Sequence, residues 1–256
     1  MFRHPEIARL VRVGSLVHAH GWAEGNAGNM SVRLGGRFRA PKPARGAPAV
    51  ALPMAFPALA GARLLVTATG GRMRDLERDP EAGLLLVEVL DGGRSWRRRW
   101  GRGRPTSEFL CHLAVHAQCA AARPGRRAVL HVHAPQLMAL SHVLAGADFV
   151  RAIERIHPEG AVLLGNCGLA FVDFLVGGSP ELARATGRAV RRADLAMWQF
   201  HGLVSVAADL EAALDQAEMA ERGAGLILLA RAAGVEPRGL SDGQLAAVRA
   251  AFCRKE

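Results

Sequence analysis

The residues of this sequence best suited to chemistry are two histidines, His131 and His133, in the apolar run 128–134 (AVLHVHA). Successive side chains of a β-strand point to opposite faces, so histidines at positions i and i+2 project from the same face and can share one metal ion. A third histidine, His201, follows a second apolar run, 196–200 (AMWQF). Catalytic zinc typically takes three protein ligands and leaves a fourth position open. We therefore predict that His131, His133 and His201 hold a zinc ion.

Two alternatives to this site follow from the same residue type. A single histidine on an apolar strand is more often a hydrogen-bonded core residue than a ligand. The spacing of His131 and His133 argues against that alternative, because two imidazoles on one buried face would need separate partners. His112 and His116 lie four residues apart on a predicted helix and compete as ligands. We rank them lower because the apolar residues between them are typical of an ordinary packed helix.

The size and composition of the chain indicate a globular protein. Its 256 residues are 50% hydrophobic, which suffices for a substantial core, and we expect a single domain over residues 1–256. No apolar run approaches the roughly 20 residues of a membrane span, and the first residues lack the apolar segment of a secretion signal. We expect a soluble, cytoplasmic protein with no membrane partner. Four cysteines form no CxxC pair and are expected to be reduced thiols: Cys111, Cys119, Cys167 and Cys253.

The chain carries a formal net charge of +10, much of it in the run 94–104 (RSWRRRWGRGR). Arginine interleaved with tryptophan can bind single-stranded nucleic acid. However, arginine is frequent throughout the chain and only two lysines occur, which indicates a compositional bias. No RRM, KH or helix-turn-helix pattern surrounds the run. We therefore expect the solvated face of a strand here, and no nucleic-acid partner.

Helical and strand patterns interleave along the chain. The predicted helices cover residues 5–20, a start within 104–110, 135–145, 179–192, the span from Asp209 to Ala233, and a last short helix from Ser241. The predicted strands are a short one ending near 34, one within 63–72, the hairpin of 84–90 and 95–100, 128–134 and 195–200. This pattern predicts an α/β fold, a single three-layer αβα domain with a central, mostly antiparallel sheet. Residues 35–61 are rich in proline and predict an irregular surface excursion or an edge hairpin.

Two polar segments next to predicted strands have the composition of anion-binding loops, 24–31 (EGNAGNMS) and 67–70 (TATG). Glycine permits positive φ, and the N–H groups of such turns can point into one concavity that accepts an anion. An ordinary turn is the alternative for the first segment, since turns of glycine and asparagine are common. Thr106 or Ser107 can cap the helix that follows, and Glu108 in its first turn can be explained by the helix dipole alone.

Together these motifs resemble a known family. They are residues 25–31 (GNAGNMS), 67–70 (TATG), 105–108 (PTSE), 131–133 (HVH) and 200–202 (FHG). Their order and spacing are similar to those of the class II aldolase/adducin superfamily, and within it the chain looks most like the bacterial rhamnulose-1-phosphate aldolases. The resemblance extends from Gly21 to about Ala233.

The resemblance implies a zinc-dependent homotetramer, with one zinc ion per subunit, that cleaves a ketose 1-phosphate between C3 and C4. L-Rhamnulose 1-phosphate is the first candidate, with dihydroxyacetone phosphate and L-lactaldehyde as products. By this resemblance the zinc ligands are His131, His133 and His201, and Glu108 is the catalytic acid/base. Glu159 falls near a second acidic residue of the rhamnulose branch. The implied phosphate-binding residues are Asn26, Gly28, Asn29, Thr69, Gly70, Thr106 and Ser107.

The residue types agree with this chemistry, because zinc can polarise the substrate carbonyl and Glu108 beside it can carry a proton to and from carbon. A related branch uses a tyrosine as the acid at the leaving aldehyde. This chain has no tyrosine, so that role falls to Glu159, to a water, or to no group. The same scaffold supports a 4-epimerase of pentulose phosphates, a methylthioribulose-1-phosphate dehydratase and non-enzymatic adducin heads. The three histidines argue against the adducin type.

Overall fold

A computed structural model describes residues 4–35 and 47–253 of the chain. The strands within those residues are β1 (Asn29–Arg33), β2 (Ala49–Ala51), β3 (Arg63–Thr67), β4 (Leu84–Leu90), β5 (Ser95–Trp100), β6 (Ala128–Val132), β7 (Leu169–Val172), β8 (Leu195–Trp198) and β9 (Gly202–Ala207). They form one 9-stranded sheet in the order β2-β5-β4-β3-β1-β6-β9-β8-β7. β7 and β8 pair in parallel, and the other pairings of these strands are antiparallel.

Helices cover both faces of the sheet, which confirms the predicted α/β class. They are α1 (Pro5–Ala19), α2 (Pro80–Gly83), α3 (Phe109–Ala122), α4 (Pro135–Leu140), α5 (Gly146–Arg155), α6 (Pro158–Asn166), α7 (Pro180–Ala189), α8 (Leu210–Ala232) and α9 (Asp242–Phe252). Short 3-10 turns occur at Pro57–Leu59, Met73–Asp75 and Asp91–Gly93. In the part of the chain that is described, no helix combines the length and the apolar character that a membrane crossing requires. The four cysteines are free.

Two apolar cores lie on opposite faces of the sheet, because alternate side chains of each strand point to opposite sides. On β6, Leu130 and Val132 belong to the first core and Val129 belongs to the second. The first core is closed by α1, α4, α5, α6 and α8, and the second is closed by α3 and α7. His131, between Leu130 and Val132, therefore faces the side of the sheet that α3 covers.

The arginine run forms β5, and its hairpin with β4 agrees with the prediction. Trp96 is buried in the second core and Trp100 in the first, although the four-residue spacing would place both on one face of a regular strand. A register shift opposite Leu86 and Val87 explains this, because a β-bulge changes which face later residues occupy. The arginines between the tryptophans are half-buried, and Arg99 pairs with Glu88 on β4. The run is therefore more deeply packed than the solvated face that we expected.

Several boundaries differ from the prediction. The helix predicted over 135–145 ends at Leu140, where Ser141 Oγ donates to the carbonyl of Met138 at 2.7 Å, and a new helix begins at Gly146, whose φ is +54°. The sequence analysis missed α2, α5, α6, β7 and β9. In the proline-rich excursion, residues 47–61 include the edge strand β2, paired to β5, whereas residues 36–46 lie outside the described part of the chain.

Candidate active site

Three histidines meet where β6 ends. One ligand nitrogen from each of His131, His133 and His201 lies within 4.8 Å of the others. His131 is in β6, His133 follows it, and His201 occupies the turn between β8 and β9. Because β9 pairs with β6, with Leu203 opposite Val132, the turn that carries His201 lies beside the end of β6. The structure thus brings together the three histidines that the sequence analysis selected.

The turn at His201 depends on the residues on either side of it, Phe200 and Gly202. Phe200 has a φ of 62°, in the left-handed region that residues other than glycine rarely adopt, and such strain is typical near functional residues. The N–H of Phe200 donates to Ser141 Oγ at 3.0 Å. A Cβ at Gly202 would lie 2.5 Å from the Val132 carbonyl oxygen and 2.9 Å from Cε1 of His131, so only glycine permits this close approach. His201 therefore sits in a tight turn, and not at the end of a strand as predicted.

His131 is a buried imidazole with one ring nitrogen unpaired. Its Nδ1 lies 3.1 Å from the Leu203 carbonyl oxygen and donates to it. Nε2 is then the unprotonated nitrogen, and it has no hydrogen-bond partner within the described residues. Burial lowers the pKa of His131 to about 3, although the Glu108 carboxylate acts to raise it. The neutral imidazole is the form that binds a metal ion.

His133 is oriented by a carboxylate. Its Nδ1 lies 2.8 Å from Oε1 of Glu24. Partial burial raises the pKa of Glu24, but the hydrogen bond from His133 outweighs it, and the pKa lies below its ordinary value. Metal-binding histidines usually give their second N–H to a carboxylate or a backbone carbonyl. His131 and His133 both have such a partner, and the site therefore fits a divalent metal ion that takes nitrogen ligands.

Glu108 is a buried carboxylate beside the histidines. Its Oε1 lies 3.1 Å from His201 Nε2 and its Oε2 lies 3.4 Å from His131 Nε2. Asn29 Nδ2 donates to Oε2 at 2.8 Å. Burial raises the pKa of Glu108, but the electrostatic interaction with His131 and the hydrogen bonds from His201 and Asn29 outweigh it, so the pKa lies well below its ordinary range.

The start of α3 differs from the predicted cap. The helix begins at Phe109 with Glu108 in the N-cap position, and the Glu108 side chain makes no capping hydrogen bond. The prediction that Thr106 or Ser107 is the cap is therefore wrong. Thr106 Oγ1 instead accepts from the Glu108 N–H at 3.4 Å. Since its carboxylate faces the histidines and not the helix N–H groups, the helix dipole does not account for Glu108.

Two of the predicted phosphate-binding loops adjoin each other next to Glu108. The Thr106 N–H donates to the Thr67 carbonyl at 2.9 Å, and the Thr69 N–H donates to the Arg104 carbonyl at 2.9 Å. Three residues of these loops are exposed: Thr69, Gly70 and Ser107. Thr106 is buried. The loops therefore offer an open polar surface beside the start of α3.

The third predicted loop, which leads into β1, contains Asn26, Gly28 and Asn29. Asn26 lies exposed in the turn of residues 24–27. Gly28 has a φ of 70° and packs against the carbonyl of His131. Asn29 is buried, and both polar atoms of its side chain are engaged, Nδ2 with Glu108 and Oδ1 with His112. This loop thus reaches the histidine group through Asn29.

Glu159 does not join this site within one chain. It lies in the first turn of α6, on the sheet face opposite to the face that α3 covers. Its side chain is 71% exposed, and its Oε2 lies 3.3 Å from Nδ1 of His157. The competing ligands His112 and His116 are also outside the histidine group. Both are buried on α3, and both hydrogen-bond to Ser31.

The sequence analysis missed Glu24 and the role of Ser31. Glu24 stands in the glycine-rich segment before β1 and carries no spacing signal that links it to His133, because the two are 109 residues apart. Ser31 could have been found from its position. It lies two residues after Asn29 on β1, and alternate residues of a strand share a face.

Comparisons with known proteins identify the family. Residues 8–228 match the model of the family described as Class II Aldolase and Adducin N-terminal domain. The rhamnulose-1-phosphate aldolase of Pectobacterium atrosepticum is 30% identical over 252 residues, which cover 95% of this chain and 92% of that protein. The enzyme of the same name from Yersinia pestis is 30% identical over 259 residues, covering 96% and 93%.

Solved structures show the same fold. The sugar-phosphate aldolase from Thermotoga maritima superposes with a TM-score of 0.80 at 30% identity, over 91% of this chain and 97% of that one. An L-fuculose 1-phosphate aldolase superposes with a TM-score of 0.68 over 98% of both chains, and at 18% identity it supports the fold alone. From its residues, its site and these matches, the chain belongs to the family of class II aldolases and adducin N-terminal domains, and it is an enzyme of the lyase class.

Proposed function

We propose that the protein is a zinc-dependent aldolase that cleaves L-rhamnulose 1-phosphate to dihydroxyacetone phosphate and L-lactaldehyde. The observation that carries the proposal is the convergence of the three imidazoles, with ligand nitrogens within 4.8 Å of one another, next to Glu108, whose two oxygens lie beside His131 and His201. The names of the relatives from Pectobacterium and Yersinia support the choice of this sugar phosphate.

The donor set favours zinc. Imidazole nitrogens suit this ion, and three protein ligands leave a position open for substrate oxygen. Bound there, zinc would supply Lewis-acid polarisation of the substrate carbonyl. Two of the ligand side chains are preorganised. The Leu203 carbonyl fixes the ring orientation of His131, and the Glu24 carboxylate fixes that of His133. We propose one zinc ion per subunit.

We assign to Glu108 the transfer of the proton to and from C3 of the substrate. Cleavage between C3 and C4 leaves the bonding electron pair on the fragment that keeps the carbonyl, and a proton must then reach C3. Glu108 is buried beside His131 and His201, and its lowered pKa favours the carboxylate that accepts a proton in the reverse direction. The hydrogen bond from Asn29 fixes the carboxylate between the two rings.

The phosphate of the substrate would bind the loops beside Glu108. We keep all seven residues of the predicted set in this role: Asn26, Gly28, Asn29, Thr69, Gly70, Thr106 and Ser107. Thr69, Gly70 and Ser107, the exposed residues of the loops 67–70 and 105–108, support this role. An asparagine amide carries two N–H groups, so Asn29 can serve the phosphate with one while it donates to Glu108 with the other. A phosphate held in this way would place the carbonyl end of the sugar at the histidines.

We assign Glu159 to the aldehyde end of the substrate, at the site of a neighbouring subunit. Its exposed carboxylate lies on the sheet face opposite to Glu108, so within one chain it cannot serve the histidine group. This chain has no tyrosine, and an exposed carboxylic acid can serve as the proton donor or acceptor for that end of the reaction. This assignment requires an oligomer, and we propose a homotetramer that works in the cytoplasm.

The proposal is tested with zinc-loaded protein and a panel of sugar phosphates. L-Rhamnulose 1-phosphate should yield dihydroxyacetone phosphate in a coupled assay. Methylthioribulose 1-phosphate would instead lose water, and pentulose phosphates would epimerise, if the chain had those activities. Glu108→Gln should lower kcat by a factor of about 10² to 10⁴ with zinc retained, as expected for a lost acid/base, whereas Glu77→Gln on the surface should not. Turnover unaffected by Glu108→Gln, or no triose phosphate from any ketose 1-phosphate, would overturn the proposal.

A further inference from the structure

Four buried polar side chains, Asn29, His112, Ser31 and His116, lead away from Glu108 into the protein interior. We call them the buried chain. Asn29 Nδ2 lies 2.8 Å from Glu108 Oε2, and His112 Nε2 lies 2.5 Å from Asn29 Oδ1. Ser31 Oγ lies 2.7 Å from His112 Nδ1 and 2.7 Å from His116 Nε2. The reaction described above uses Asn29, and it gives no role to the other three residues.

Two elements build the buried chain. Asn29 and Ser31 are alternate residues of β1, so their side chains point to the same face of the sheet. His112 and His116 are four residues apart on α3, so they share one side of that helix. All four are at most 7% exposed. Burial at this depth makes each polar atom costly to leave unpaired, so the pairing is specific.

The hydrogen bonds of the buried chain have one consistent direction. A carboxylate only accepts, so Asn29 presents its NH₂ to Glu108 and its oxygen to His112. His112 must then donate from Nε2, which leaves Nδ1 of the neutral ring to accept the single hydrogen of Ser31. The oxygen of Ser31 in turn accepts from Nε2 of His116.

The far end of the buried chain agrees with this direction. Nδ1 of His116, which would carry no proton, is the one side-chain nitrogen of the buried chain for which the described residues offer no hydrogen-bond partner. Burial lowers the pKa of His112 to about 4 and the pKa of His116 well below its ordinary value. Both rings are therefore neutral at pH 7, as the direction of the hydrogen bonds requires.

We propose that His112 is a positioning residue for Glu108. By donating to the oxygen of Asn29, it locks the amide in the one orientation that donates to the carboxylate, and Ser31 and His116 fix the tautomer of His112 that can do so. Without that donor the amide is free to turn over and present its oxygen to the carboxylate, which repels it. The inference rests on the proposed role of Glu108, and it adds a residue that touches neither substrate nor metal.

Two substitutions of His112 distinguish a role in orienting Asn29 from a role in packing alone. The amide nitrogen of glutamine can reach the place of Nε2, so His112→Gln keeps a donor to Asn29. Asparagine is shorter and reaches only the place of Nδ1, so His112→Asn loses that donor. In the zinc-loaded full-length enzyme we expect His112→Gln to keep kcat within about threefold. We expect His112→Asn to lower kcat by about ten- to a hundredfold with KM and zinc content little changed, the pattern of an interaction that matters in the transition state. Equal effects of the two variants on kcat, or no effect of either, would overturn the proposal.

A spectroscopic measurement tests the same proposal without activity. In protein labelled with ¹⁵N-histidine, long-range ¹H–¹⁵N spectra distinguish the two neutral tautomers of each ring. We expect His112 and His116 to carry the proton on Nε2 in the wild type. A proton on Nδ1 of His112 would overturn the direction of the hydrogen bonds, and with it the proposal. If the wild type instead lacks aldolase activity while both tautomers are as expected, the proposed function fails and the hydrogen-bonded geometry stands.

Discussion

The carboxylate of Glu24 hydrogen-bonds to Nδ1 of His133 at 2.8 Å, across 109 residues of sequence. The bond fixes the ring orientation and leaves Nε2 as the nitrogen for a metal. We predict that Glu24→Gln weakens zinc binding by about ten- to a hundredfold, the usual cost of losing such a partner. Competition with a chromophoric chelator measures the affinity. Glu77→Gln, on an exposed carboxylate outside the site, is the matched control, and a zinc Kd for Glu24→Gln within twofold of wild type would contradict the prediction.

Subunits carrying different defects should complement one another. If Glu108 of one subunit and Glu159 of a neighbour share a site, Glu108→Gln and Glu159→Gln proteins will each be nearly inactive alone. Tetramers mixed from equal amounts of the two should recover about a quarter of wild-type activity, because random assembly gives each interface site both intact carboxylates with that frequency. The measurement is kcat per subunit after dissociation and joint reassembly.

The control for that experiment mixes two defects of the same chain's site. Glu108→Gln with His201→Ala should recover nothing, because each of these residues is needed in the subunit that carries the other. A mixture of Glu108→Gln and Glu159→Gln that stays as inactive as this control would remove Glu159 from the neighbour's site.

The histidine group was predictable because its sequence signal is local. The two-residue spacing of His131 and His133 predicts that both side chains lie on one face of a strand. His201 precedes Gly202, the glycine that its turn requires. The residues that orient these rings carry no such signal. Leu203 acts through its backbone carbonyl and Glu24 through a distant loop, so only the pairing of β6 with β9 and the path of the chain before β1 reveal them.

The elements were predictable to a similar degree. The N-caps Ser179 and Asp209 and the capping box at Ser241 each accept the expected backbone N–H. The predicted N-cap of α3 was wrong because Glu108 occupies the N-cap position and its side chain points to the histidines. The face of the sheet on which Trp100 lies could not be predicted either. It packs in the first core because of a β-bulge, and that bulge depends on the register of the facing strand.

Buried histidines should make the metal-free protein sensitive to acid. The pKa of His112 is lowered by burial from 6.5 to about 4, so between these values the unfolded chain binds a proton that the folded chain does not. Stability is therefore complete above about pH 6.5 and falls as the pH drops towards 4, by roughly 3 kcal/mol for this one group. The free energy of unfolding, measured by urea titration across this pH range, should show that slope.

Substitution of His112 isolates its share of the slope. His112→Gln removes the titrating ring, so between pH 6.5 and 4 its free energy of unfolding should fall less steeply than that of the wild type, by on the order of 1 kcal/mol per pH unit. Parallel wild-type and His112→Gln curves would show that His112 titrates alike in the folded and unfolded chains.

Gly177 should be required because it has no side chain, and not because its backbone adopts a conformation that only glycine allows. It lies in the loop between β7 and α7, and a Cβ there would meet Cε1 of His201 at 3.2 Å and Oε1 of Glu108 at 3.5 Å. Its φ lies outside the left-handed region, so alanine can adopt its conformation, and the only cost is the methyl group. We predict that Gly177→Ala lowers kcat/KM by about tenfold or more, since small displacements of reacting groups are costly, with little change in Tm.

The matched control for that glycine is Gly243, in α9, where an added Cβ meets nothing within 4 Å. Gly243→Ala should raise the free energy of unfolding by about 0.5 to 1 kcal/mol, as expected inside a helix, and leave kcat/KM unchanged. Steady-state kinetics on both variants, with thermal unfolding of each, separate the two effects. If Gly177→Ala kept wild-type kcat/KM, the space beside His201 and Glu108 would not be occupied in the reaction, and the substrate would have to approach the histidines from another side.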